Sequence, residues 1–155
     1  PRRRGRCNPP DSWPPVDLNE ELSTVHAQVR HLFAGRGIEP DDLDDDAPIR
    51  LAATTLPGRQ RVADVISVAG VESVGLPASY PVDERGEPVS HEVTQAIGVE
   101  VRDAHLRGVW CRSASGFGHE LAWFPSSRAS AHPVWEQPLA FGTWRHAPTL
   151  ADLHP

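Results

Sequence analysis

Apolar positions recur with helical spacing in two stretches of the chain. Leu22, Val25, Val29, Leu32 and Phe33 share one face of a stretch that follows Asn19, carries Glu20 and Glu21 in its first turn and meets Gly35 beyond its end. A short polar cap, acids beside the positive helix end and a closing glycine predict a helix over residues 20–34. In the second stretch, started by Ser90, Val93, Ala96, Ile97, Val101 and Ala104 turn toward the core, and Gly108 marks the end. A shorter helix is expected over 68–75, closing on Gly75.

Between and after these helices the pattern shortens. Residues 49–55 (IRLAATT) and 61–67 (RVADVIS) read as strands around a Pro57-Gly58 turn and are expected to pair as a hairpin. Val109–Cys111 and Leu121–Phe124 read as buried strands joined by the small, Gly-rich loop from Ser113 to Gly118, and another strand is expected around Leu139–Trp144. Residues 1–15, with their Arg cluster and prolines around Trp13, predict extended and turning chain, residues 76–89 a surface loop, and residues 146–155 a tail.

Composition narrows the classes. A length of 155 residues fits one domain, and 16 Pro with 12 Gly predict many short elements, so a mixed α and β fold is expected. A net charge of −6 lacks the basic field that nucleic-acid binding requires. No apolar run reaches the roughly 18 residues of a membrane span and no signal-peptide pattern is present, so the cytoplasm is the default compartment. The chain has no Met, and the N-terminus is expected to be incomplete. Cys7 and Cys111 have no partner spacing for a disulfide framework or zinc site. The eight histidines show no HExxH, and the acids at 41, 42, 44, 45 and 46 lack calcium-loop spacing, so no metal is expected.

Three stretches resemble the RES family, named for its Arg, Glu and Ser. They are Gly5-Arg6-Cys7-Asn8-Pro9-Pro10, then Val16 to Glu21 running into Thr24 to Gln28, and lastly Thr94 to Ile97 through Gly108-Val109, Ser113-Ala114 and Leu121 to Pro125. Their order and spacing carry the resemblance over about residues 3–125. It implies an α+β fold akin to ADP-ribosyltransferases, a mixed sheet with flanking helices, over residues 1–145. It also implies NAD as substrate, cleaved at the nicotinamide–ribose bond by phosphorolysis, hydrolysis or ADP-ribosyl transfer, and a helix-turn-helix antitoxin as partner.

On this resemblance Arg6 matches the family's Arg, suited by its planar guanidinium to a pyrophosphate. Its plainer reading is a member of a solvated basic terminus. Ser113 matches the Ser, where a hydroxyl can bond NAD or orient a catalytic group, or is simply one serine of a Ser/Gly loop. The Glu position is Gln28, a helix-surface residue on the plainer reading, and an amide brings no charge to a ribose cation. Unit charges about 4 Å apart at an effective dielectric near 20 attract by roughly 4 kcal/mol, about a thousandfold in rate. Cys7 and Asp17 stand where the family has an aromatic residue and a Tyr, and neither can stack on a cofactor. The sequence therefore predicts NAD cleavage that is weakened or lost, with a non-catalytic module that still engages an antitoxin-like partner as the alternative.

Overall fold

The two apolar runs after the second long helix form the centre of a four-stranded sheet. In the computed structural model, which describes residues 5–10, 12–126 and 131–153, they are β5 (Gly108–Arg112) and β6 (His119–Trp123). Before them come β1 (Val16–Asn19), α1 (Leu22–Phe33), β2 (Arg50–Leu51), β3 (Thr54–Thr55), β4 (Ala63–Val65), α2 (Val68–Ser73) and α3 (His91–Asp103). After them come β7 (His132–Pro133), β8 (Leu139–Ala140) and α4 (Phe141–Trp144). The sheet order is β1-β6-β5-β4, antiparallel except where β4 runs parallel to β5. This is the mixed α+β architecture expected.

Alternation along the strands divides the interior. Val65, Val109, Cys111 and Ala122 face α3 and α2, where Ile97, Val101, Val71, Leu76, Tyr80 and Cys7 close a first core. Leu121 and Trp123 point to the other side, against Leu18, Trp110, Leu56 and Val62. A third cluster joins Leu22 and Val29 of α1 to Leu51, Phe141, Trp144 and Leu153.

Several sequence expectations change. The hairpin of residues 49–67 does not form: β2 pairs with β8, β3 with β7, and β4 with β5. Asp64 ends β4 early by accepting from the Ile66 and Ser67 amides, and Ser67 then caps α2 through the Gly70 amide. Parallel pairing lets Val65 lie almost fully buried among the core side chains, which a solvated hairpin would not. Asn19 is not the helix cap; Glu21 occupies that place without a side-chain bond, and Asn19 ends β1. Leu32 is 58% exposed and Val93 43%, because the faces that pack are centred on Leu22 and Val29 in α1 and on Thr94, Ile97, Gly98 and Val101 in α3.

Gly108 opens β5 rather than closing α3, which ends at Asp103; His105, at φ +58°, turns the chain beyond it. The last strand stops at Ala140, since Phe141 and Trp144 bury together when spaced one helical turn apart. The loop of residues 76–89 sends Leu76 and Tyr80 inward, and the expected tail folds a 3-10 turn at Leu150–Asp152 and inserts Leu153 into the third cluster. The arginines at 2–4 lie outside the described residues.

Candidate functional site

The chain's N-terminal segment reaches the sheet because α3 is built to receive it. Thr94 Oγ1 donates to the Arg6 carbonyl at 2.6 Å, Gln95 Nε2 donates to the Gly5 carbonyl at 3.1 Å, and Gly98 leaves the space that the Cys7 carbonyl fills. A Cβ at position 98 would collide with that carbonyl, and the obstacle is backbone rather than a movable side-chain tip. Gly98→Ala is therefore expected to lower stability by about 1–3 kcal/mol and to displace Arg6. Urea denaturation checks the first effect, and an unchanged midpoint would show that the segment is not clamped.

Held this way, Arg6 lies over the first core. Its Nη2 donates to the Arg112 carbonyl at 3.0 Å and to Cys111 Sγ at 3.3 Å, and pairs with Glu120 Oε1; the guanidinium also lies over the Tyr80 ring, 5.6 Å from its centre. Nη1 is buried and has no hydrogen-bond partner among the described residues.

Glu120 is buried on β6, opposite Asn19 on one side and Cys111 on the other. Its Oε2 accepts from Gln28 Nε2 at 2.6 Å. The same Gln28 nitrogen donates to Ser113 Oγ at 3.3 Å, and Gln28 Oε1 accepts from Asn19 Nδ2 at 3.0 Å. Ser113, wholly buried, passes the chain of bonds to Ser115 at 3.0 Å. Arg6, Gln28 and Ser113, distant in sequence, thus meet around one carboxylate.

Charge and burial compete here. Loss of hydration pushes the Glu120 carboxyl above the usual carboxylate range; Arg6 opposes this, Asp17 adds to it, and bonds from Ser113 and Gln28 oppose it. Burial similarly raises Asp17, again offset by Arg6. For Arg6 burial disfavours the charged form, yet Cys111, Tyr80, Glu120 and Cys7 outweigh it and hold the guanidinium above its ordinary value.

Cys7 is packed inward, 4% exposed, in the first core. Packed there, it does not wall a cleft as an aromatic residue at that position was expected to; a hydrogen bond with Cys111 and burial both push its thiol up. Asp17 sits at the exposed edge of β1, two residues before Asn19 and so on the same sheet face, close enough to act on Arg6 and Glu120.

Beside the cluster opens a cleft of about 580 Å³, bordered by His31, Tyr80, Arg112, Ser115 and His119. Neither this cleft nor a cavity of about 430 Å³ on the Leu18, Trp110 and Leu121 face has Arg6, Gln28, Ser113 or Glu120 in its lining; the cleft meets the cluster through Tyr80, Arg112 and Ser115, which contact Arg6 and Ser113. The size of the first suits a small-molecule ligand, and the polar groups lie next to it. Among the described residues no group of three or more His, Cys, Asp and Glu is arranged to hold a metal ion, and no helix is long and apolar enough to cross a membrane.

Glu120 escaped the sequence reading, and Asn19 was read as a helix cap rather than as a partner of Gln28. Glu120 directly precedes the apolar run Leu121–Phe124, and the strand starts two residues earlier than that run, at His119. Extending the alternation back from Ala122 would have put this carboxylate on the inward face.

Fold and site together define a mixed-sheet α+β domain with a buried polar cluster at one end of its sheet. A chain from the crystal structure of the M. tuberculosis MbcT–MbcA toxin–antitoxin complex shares this fold, with a TM-score of 0.64 over 88% of this chain and 70% of that one at 17% identity. Identity at that level establishes the fold alone. No family model and no curated protein matches the chain.

Proposed function

We propose that this chain is a toxin of the toxin–antitoxin kind that binds NAD and cleaves its nicotinamide–ribose bond slowly, acting in the cytoplasm and restrained by a helix-turn-helix antitoxin. The observation that carries the reading is the meeting of Arg6, Gln28 and Ser113 around Glu120 beside a cleft. The RES resemblance supplies the substrate, and the fold shared with a chain of a toxin–antitoxin complex supports the partner.

Arg6 is the group for the pyrophosphate, with Nη1 free to donate. Cleavage is slow for two reasons. Arg6 is already engaged by Glu120, and the Asp17 carboxylate faces the same guanidinium and repels a phosphate. Neither Cys7 nor Asp17 brings a ring to hold the cofactor.

The closed Arg6–Glu120 pair also favours a second reading, a non-catalytic module that engages the antitoxin-like partner without turnover. Purified chain incubated with NAD, with and without phosphate, separates the two. Slow nicotinamide release that falls about tenfold or more in Arg6→Lys is the expected result, since Lys keeps the charge but loses the two-pronged donor. Capture of the antitoxin with no NAD binding would support the second reading instead, and the absence of both would overturn the proposal.

A further inference from the structure

If the chain cleaves NAD as proposed above, a carboxylate must stand near the ribose, and position 28 does not offer one. We infer that Glu120 is the catalytic carboxylate of this site, one hydrogen bond away from Gln28, and that NAD itself uncovers it by drawing Arg6 away.

The geometry gives each residue a place. Asn19 fixes the Gln28 amide through Oε1, so Nε2 is turned toward Glu120 Oε2 at 2.6 Å. Gln28 is then a positioning residue that orients the acid. The negative charge lies one side chain further from the place where a Glu at 28 would have carried it. At roughly 7 Å rather than 4 Å, with the same effective dielectric, its attraction for a ribose cation is still worth on the order of fiftyfold in rate. The roughly thousandfold loss expected from Gln28 alone is thereby cut to about twentyfold, consistent with slow cleavage.

In the resting site Arg6 neutralises Glu120. A pyrophosphate is the better partner for a guanidinium that has one nitrogen unpaired, and exchange of Glu120 for pyrophosphate leaves the carboxylate free to face the ribose. The bond between ribose and nicotinamide then breaks, its electron pair leaving with the pyridinium ring, which becomes neutral. The positive charge passes to the ribose, where Glu120 balances it. Water or phosphate forms the new bond to the ribose carbon; water gives up a proton in doing so.

Besides burial, Arg6 from the N-terminal segment and Asp17 from β1 set the acid's charge, with hydrogen bonds from Ser113 and Gln28; Cys111 on β5 and Tyr80 in the loop before α3 are the other titratable groups near it, and each feels its charge. The acid limb of the kcat profile should therefore report Glu120 and sit above the ordinary carboxylate range, because burial and Asp17 both raise it. Asp17→Asn should move that limb to lower pH.

The experiment uses the full chain and NAD. Glu120→Gln is expected to lower kcat about fiftyfold while NAD affinity is kept or improved, since Arg6 is released. The exchanged double variant Gln28→Glu with Glu120→Gln should recover most of the rate. A folded Glu120→Gln protein with unchanged kcat would overturn the inference. If that variant does not fold, Glu120→Asp keeps the ion pair's charge and withdraws it by one methylene. A kcat unchanged in Glu120→Asp, or an acid limb that Asp17→Asn does not move, would overturn the inference as well. A wild-type chain that releases nicotinamide at a rate the folded Glu120→Gln variant matches refutes the role of Glu120 alone, whereas a wild-type chain that releases none refutes the underlying function.

Discussion

Arg6→Met is expected to destabilise the domain by about 3–5 kcal/mol, because it leaves the Glu120 carboxylate buried without its counter-ion. Both side chains are largely shielded from water, at 15% and 10% exposure, so solvent cannot take over the role of the missing partner. The Gln28 and Ser113 bonds remain but do not neutralise the charge. Removing both charges, as in Arg6→Met with Glu120→Leu, should recover most of the loss, since the cost lies in the stranded ion rather than in the absent pair. Urea denaturation of the single and double variants measures the difference. A loss under about 1 kcal/mol for Arg6→Met would mean that the pair behaves as a solvated surface contact.

The second large effect is expected at Trp144. Its ring is 1% exposed, stacks on His26 at 5.5 Å and meets Phe141 edge-on at 5.2 Å. Trp144→Ala should cost about 3–5 kcal/mol, a fall in melting temperature of roughly 10 °C in a domain of this size. Leu150→Ala, at a 40% exposed position of the same C-terminal segment, should change it by no more than about 2 °C. Equal effects at the two positions would show that the C-terminal segment does not pin α1. Because α1 carries Gln28, the Trp144 variant should also loosen the Gln28–Glu120 bond.

What was legible in the chain follows from range. The helices α1 and α3 were visible because their apolar period is local, and the Ser90 and Gly75 signals act within a few residues. The central strands were legible as apolar runs. Residues 49–67 failed because partner choice there is decided by residues dozens of positions away: β2 and β3 are only two residues long and take C-terminal partners, while β4 is drawn to β5 by the burial of Val65. Asn19 looked like a cap because caps and strand ends favour the same short polar side chains.

The site was half legible. Arg6, Gln28 and Ser113, each singled out in the sequence, meet around one carboxylate, whereas Cys7 faces the core and Glu120 was hidden in the strand. Reading Gln28 as a lost charge was sound chemistry applied to one position. The structure adds a carboxylate that no local pattern marks as functional, because its partners are 92 and 114 positions away.

That separation of 114 positions has a consequence during synthesis. Arg6 leaves the ribosome well before the strand that holds its carboxylate partner, which follows 114 residues later. At translation speeds of about 5–20 residues per second, the arginine waits roughly 6–23 s for Glu120. For most of that interval the N-terminal segment lacks α3 as well as β6, and α3, complete at Asp103, precedes β6 only shortly. The buried polar cluster therefore closes only once β6 has emerged, long after Arg6 itself has been made.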